Sequence, residues 1–516
     1  MSLFLVNKSV MKTTLIAIFC LVASSVHAQR AYFVDAVSGN DSNEGNAEQD
    51  AFQTLEKVNQ LSLQAGDSIL FKRGGQWTGT LRPRGSGAEG DRITIGAYGE
   101  GAAPVIDAAG KKEASDLMSA SIVLYNQEYW EIRDIEVRNY EKGNPEKPSK
   151  KAGILVLAKD VGTLHDFKFE NLKITDVNGS LKTRENGGVF FSVTADDDPE
   201  ERVPTNFDGV HLNRCYFLNV DRGGFLNQSF WRRRDLHTSF GETYAEGRVN
   251  SWFPSYRLLI ENCKFEAVGG NGLVTRVAVS PVVQDNLFVR CSSKTTGNAS
   301  YPYNCDDALW QYNEACYTVY NEGDIDASGF DSDYLCKNTV IQRNYSHHND
   351  WGGLLVCSWG RVPGSFNDGT LVRDNVFQDD GHHLIRFSGN ITNTEISDNV
   401  FMTNTEINDV MLWYKEWGSI WPDGTELKGN VFHHTGDAPF IRLGQTTRNA
   451  ITDNYLVGES FADFSDFNPI SDNDNLKSKI EEIRSIGARD AFVVSQARAV
   501  FELKRDISLS IKSQKK

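Results

Sequence analysis

The chain has 516 residues, 40% of them hydrophobic, which is enough core for two or three ordinary domains or one long repeat domain. Its net charge of −16 and pI near 5.2 disfavour nucleic acid and anionic membrane surfaces as partners, because a bulk negative field repels them. A local basic cleft can still override that sign, so an anionic small ligand is not excluded.

In chain order, Met11 opens MKTTLIAIFCLVASSVHAQR. Lys12 is followed by an apolar run too short to span a bilayer, then by Val26-His27-Ala28 as a small-x-small cleavage site. Residues 1–28 are expected to be a signal peptide, giving a secreted or periplasmic product that starts near Gln29. A lipid anchor at Cys20 is disfavoured by the shape of Ile18-Phe19 before it. No later segment reads as membrane-inserting. Residues 29–115 are expected to form an N-terminal cap and the first coils of a repeat. The amphipathic stretch from Phe52 to Leu61 reads as a helix that plugs the open end before strands such as SILFKRG begin.

Residues 116–460 carry the repeat. Segments such as LLIENCKFEAVGG, NTVIQRNYSHHND, TLVRDNVFQDDG and TEISDNVFMTN align so that Asn286, Asn313, Asn344, Asn375, Asn399, Asn430 and Asn454 share one slot. The steps are 27, 31, 31, 24, 31 and 24 residues, and upstream the slot takes Cys263, Cys215, Leu172 and Ile135. Short alternating strands with this period cannot bury their inward sides alone, so the units must stack. An inward asparagine at a turn can satisfy the backbone and its neighbours along the column. The pattern predicts an all-β fold, a right-handed parallel β-helix. The seven cysteines after the leader are an odd number with no CxxC pair, so at least one thiol is free and a zinc site is not expected. Residues 461–516 begin as a linker and turn helical at LKSKIEEIRSIG, predicting a C-terminal helical cap or packing arm.

The openings SGNDSNEG, FQTLEKVN and GDSILFKRGGQWTG, with GFDSDYLCKNTVIQRNYSHHNDWGGLLVC in the middle, resemble secreted right-handed β-helix proteins of polysaccharide-degrading bacteria. That resemblance implies the same architecture throughout. It also implies an activity on carbohydrate, since the architecture includes pectin and alginate lyases and several glycoside hydrolase families. A fold alone does not choose among them.

Strand alternation does more. In SGFDSDY, Phe330 and Ser332 point inward, leaving Asp331 and Asp333 outward. By the same count Arg386, Trp413, Lys415 and Arg442 point outward, and Ile385, Phe387, Leu412, Tyr414, Ile441 and Leu443 inward. If these strands share a sheet, its outer face carries a carboxylate pair, cations and an aromatic ring, which suits a saccharide. Asp331, Asp333 and Asp326 are the candidate acid, base or nucleophile, because crowded carboxylates move one another's pKa. His348 is a further catalytic candidate and His382 a substrate contact, although histidines after the asparagine column are also ordinary turn residues. Calcium is possible at Asp324 and Asp326 with the SGNDSNEG turn, but no EF-hand spacing is present. The first expectation is aspartate-driven hydrolysis of a plant or algal polysaccharide by a monomer. β-Elimination on a uronic-acid polymer, using Arg386, Arg442 or a histidine, is the alternative, followed by a non-catalytic glycan-binding protein.

Overall fold

A computed structural model describes residues 29–114, 116–143, 149–234, 251–360, 364–403, 410–435, 441–457, 468–470, 474–489 and 493–514. The expected signal peptide lies outside them. The described residues form a parallel β-helix. Short strands wind through successive coils, and each pairs in parallel register with its counterparts in the coils before and after. Three ribbons result. One runs through Asn271–Val279, Ser300–Asp306, Ser328–Ser332, Gly352–Ser358, His383–Gly389 and Val410–Lys415, and is called the site face below. Inward residues Phe330, Leu354, Ile385 and Leu412 stack in line and are fully buried. In the last coil the order decays: Ile441–Arg442 is a two-residue strand and Leu443, expected inside, is exposed.

The asparagine column is continuous. The backbone N–H and Nδ2 of Asn375 both donate to Oδ1 of Asn399, each at 2.9 Å, and Asn399 donates in the same way to Asn430 at 3.0 Å. Each Nδ2 also reaches back to a carbonyl of the preceding coil, Asn399 to Val372 at 2.9 Å. The same links join Asn286, Asn313, Asn344 and Asn375, and run on from Asn430 to Asn454. Buried amides that would each cost ~1–3 kcal/mol unpaired are thereby satisfied. Cys263 enters the slot by donating its N–H to Asn286 Oδ1 at 2.9 Å, and Cys215 stacks beyond it. All seven cysteines from Cys215 to Cys357 are buried and unbridged.

The N-terminal plug is smaller than expected. Helix α1 is only Leu55–Val58, capped by the Thr54 side chain, but Phe52, Leu55 and Val58 still close the core. The described parts of the C-terminal helices α2 (Asp474–Gly487) and α3 (Ala497–Gln514) pack as an arm. They lie along the outside of a different ribbon, packing Ile480, Ile483 and Val500 on Tyr345, Val376 and Met402. Arg484 pairs with Asp379 and Lys504 with Asp374, both at 2.6 Å. Fully buried Glu314 accepts from His347, Arg489 and the backbone N–H of Gln496. The segment is a side brace.

Two stability predictions follow from these columns. Asn399→Leu removes the acceptor of both Asn375 donors and should cost about 1–3 kcal/mol in urea denaturation, leaving the site face intact. The second concerns Asp380, which accepts Asn349 N–H and Nδ2 at 3.1 and 2.8 Å and the Ser346 hydroxyl at 3.0 Å. Burial, outweighing those hydrogen bonds, pushes its carboxyl up to about 7. A folded pKa above the unfolded one gives stability that is present at low pH and lost as pH rises through it. Asp380→Asn should therefore match wild type in thermal melts near about pH 4, gain on it as pH rises from about 4 to about 7, and hold a constant advantage above that. A gap independent of pH would contradict the assignment.

Candidate active site

The β-helix register lines up the outward residues of successive coils. One row runs Val274, Tyr301, Asp331, Leu355, Arg386, Trp413, Arg442. The next row, two residues along each strand, holds Arg276, Tyr303, Asp333, Cys357, Ser388 and Lys415. A cavity of about 570 Å³ opens over the middle of both rows. Loops complete its walls: Arg184 and Arg232 on one side, Asp324 to Asp326 before the Asp331 strand, and Trp417 after the last. The expected residues Asp326, Asp331, Asp333, Arg386 and Lys415 all line it.

Its electrostatics are those of crowded acids. Asp331 is 2% exposed; its Oδ2 accepts from Asn298 Nδ2 at 3.1 Å and its Oδ1 has no partner. Burial, then the charges of Asp333 and Asp326, push its carboxyl well above the usual range, against the pull of Arg386. Asp326, half-buried, accepts from the Thr296 hydroxyl at 3.1 Å and is raised by burial and by Asp324. Asp333 is raised by burial as well. Several partners oppose that rise: it accepts from Tyr334 N–H at 2.8 Å and the Cys357 thiol at 3.3 Å, and Arg184 and Arg276 also favour its charge. One oxygen each of Asp331 and Asp333 and the Cys357 sulfur lie within 4.8 Å of one another. Arg386, 2% exposed, is fixed by donating to the Ile325 carbonyl.

Other expected residues fall elsewhere. Trp413 and Arg442 continue the first row beyond the cavity, with Lys415 and Arg442 set 4.7 and 5.8 Å from the Trp413 ring. His348 is not in the site. It follows the strand Tyr345–His347 on the ribbon braced by the C-terminal helices, stacked on Tyr317, and burial beside His347 lowers its pKa to about 4. His382 also stands outside the cavity, in a ladder of the turn residues Tyr320, Trp351 and His382 that ends on the strand residue Trp413, with ring spacings of 4.6, 4.2 and 5.0 Å. The residues named for calcium are not brought together. Asp324 and Asp326 line the cavity, while the SGNDSNEG turn is tied into the N-terminal plug, where Asp41 accepts from Gln53 and Thr54. A set of Asp331, Asp333 and a thiol also lacks the oxygen ligands calcium takes.

Residues not anticipated include Arg184, Arg232, Arg276, Tyr301, Tyr303, Cys357 and Trp417. Four of these were within reach of the alternation rule. Arg276, Tyr301 and Tyr303 occupy the outward rows one and two coils before the aspartates, and Cys357 the coil after. Arg184, Arg232 and Trp417 come from loops that carry no period.

Fold and site together define a parallel β-helix with a carboxylate-rich cavity on one face. No family model matches the chain. A lacto-N-biosidase of Bifidobacterium longum subsp. longum is 24% identical over 453 residues, covering 74% of this chain and 28% of that protein. The chain thus spans just over a quarter of that curated relative's length. The GH136 lacto-N-biosidase of Eubacterium ramulus, in its native and selenomethionine crystal structures, superposes with a TM-score of 0.63 at 24% and 23% identity. Those matches cover 83% of this chain and 68% and 67% of the other, and show a shared fold.

The raised Asp331 carboxyl has a spectroscopic consequence. It should persist in the acid form above the usual carboxylate range, giving in that pH range a protonated-carboxyl infrared band that Asp331→Asn removes. A spectrum unchanged by that substitution would place the proton elsewhere.

Proposed function

We propose that this chain is a glycoside hydrolase cleaving an oligosaccharide bound in the site-face cavity, with the three aspartates as its chemical machinery. The observation that carries this is the crowding of Asp326, Asp331 and Asp333 in one cavity with unequal stabilisation of their charges. Such a set supplies a proton-bearing acid and an anion at the same pH, which glycosidic cleavage requires. The two relatives, both lacto-N-biosidases, support a hydrolase over a lyase. So does the structure's disposition of bases: His348 and His382 stand outside the cavity, and Arg386 is committed to the Ile325 carbonyl.

Asp333 is the group to attack the anomeric carbon or activate water, since hydrogen bonds and cations hold its charge. Asp326 is the group to protonate the leaving oxygen. It is raised, more accessible than Asp331, and approaches from a loop, whereas Asp331 and Asp333 rise from adjoining positions of one chain segment. Asp331 is then a positioning residue that, kept protonated, adds no second charge beside Asp333. Arg386 limits the accumulated charge of Asp326 and Asp331. A plant or algal polymer finds no support in the relatives' names, and an oligosaccharide replaces it. The leader-like residues 1–28 favour export.

The test uses 4-nitrophenyl β-lacto-N-bioside and the corresponding unactivated oligosaccharide. Asp333→Asn should lose about 10²–10⁴-fold on both. Asp326→Asn should lose as much on the oligosaccharide but far less on the activated glycoside, which needs no proton. Wild-type turnover of the oligosaccharide should fall as pH rises through the raised pKa of Asp326. Near-full activity in both variants would overturn the assignment, and an unsaturated, ultraviolet-absorbing product would overturn hydrolysis.

A further inference from the structure

The upstream wall of the cavity carries cations that the proposed chemistry does not consume. Arg184 comes from the loop after Lys173–Val177, and Arg276 from the strand Asn271–Val279, in the outward row of Asp333. Neither guanidinium has a carboxylate within ion-pair distance among the described residues. Arg276 Nε is buried without a partner, and its guanidinium lies 5.1 Å from the Tyr303 ring centroid. Behind the wall sits Arg222, 7% exposed, which donates to the Thr296 carbonyl at 3.1 Å and has no ion pair among the described residues.

This is unusual for the chain. It is acidic overall, and it pairs Arg82, Arg92, Arg214 and Arg257 with carboxylates across its coils. Carboxylates were therefore available, yet Arg184 and Arg276 on the wall and Arg222 behind it have none in contact among the described residues. The convergence works against folding. Burial and the charge of Arg184 push both Arg222 and Arg276 below the ordinary arginine value. Like charges gathered in a partly desolvated wall destabilise one another unless an anion joins them. The aspartates of the cavity act on this wall only at a distance: Tyr301, then Asp333 and Asp326, raise the Arg184 guanidinium, but among the described residues none of these carboxylates is in ion-pair contact with Arg184 or Arg276. Arg386 differs, because its position is set by the Ile325 carbonyl.

We propose that Arg184 and Arg276 form an anion subsite that receives a carboxylate or sulfate carried by the bound sugar, so that the substrate is an acidic oligosaccharide. This rests on the cavity being the sugar site. Arginine suits the task because its planar fork matches both oxyanions bidentately, and Tyr301 and Tyr303 beside it offer ring surface to the sugar.

The test measures binding to the full chain by isothermal titration, using galactose, galacturonate and galactose 3-sulfate, so that it does not depend on turnover. At least one of the two anionic sugars should bind about tenfold or more tightly than galactose, as expected for a charge-assisted contact. Which one does so separates carboxylate from sulfate recognition. The advantage should weaken with added salt and disappear in Arg276→Gln and Arg184→Gln, while Arg276→Lys keeps part of it. Equal binding of neutral and anionic sugars by wild type would overturn the subsite, as would an advantage that survives both glutamine variants. If the anion preference is found but no glycoside is cleaved, the subsite stands and the hydrolase proposal fails. If glycosides are cleaved without any anion preference, the reverse holds.

Discussion

The constraint on which the structure depends is that each coil must satisfy its buried backbone through the next coil. The turn asparagines meet it with two donors aimed at one acceptor in the following coil and one aimed back at the preceding coil. A slip of one residue in any coil would leave these groups unpaired inside the core, at a cost comparable to a large share of a domain's net stability. Register is therefore fixed from the N-terminal plug onward. Once it is fixed, so is the order of the outward residues, because side chains alternate strictly along each strand.

The site inherits that order. Asp331, Arg386 and Trp413 are neighbours in space because they hold the same position in their coils, not because of any local motif. Their floor is a sheet bonded on both sides and backed by fully buried Phe330, Leu354 and Ile385. A floor this rigid can hold several acids close together without relaxing them apart. Burial and crowding then raise the carboxyls of Asp331 and Asp326, and burial raises Asp333 too, there against hydrogen bonds and cations that favour its charge.

The legibility of the molecule in its sequence follows the same division. Period and alternation identified the asparagine column and the outward aspartates, Arg386 and Lys415, because both signals recur and both are enforced by burial. They misplaced His348 and His382 because a turn histidine looks the same on either side of a coil; only the packing of Tyr317 or Trp351 distinguishes them. Leu443 was misjudged because alternation holds only where a following coil covers the strand. Arg184 and Trp417 were invisible, since a loop has no periodic constraint to betray where its side chains go.

The brace formed by α2 and α3 fits this account. A long β-helix exposes several ribbons, and an apolar outer stripe on any of them invites association. On the braced ribbon the stripe of Tyr345, Val376, Val400 and Met402 is covered by the chain's own helices and locked by Arg489 on Glu314 and Arg484 on Asp379. On the site face the outer rows change character along the axis. Val123, Leu155, Phe190, Leu226 and Val274 form a buried apolar run that ends at Tyr301, where the charged residues begin. The cavity thus stands at the boundary between an apolar stretch of the row and a charged one. An apolar flank lowers the local dielectric on one side, which strengthens the mutual influence of the aspartates and arginines next to it. Position along the coil axis, as much as residue identity, raises the Asp331 carboxyl well above its usual range.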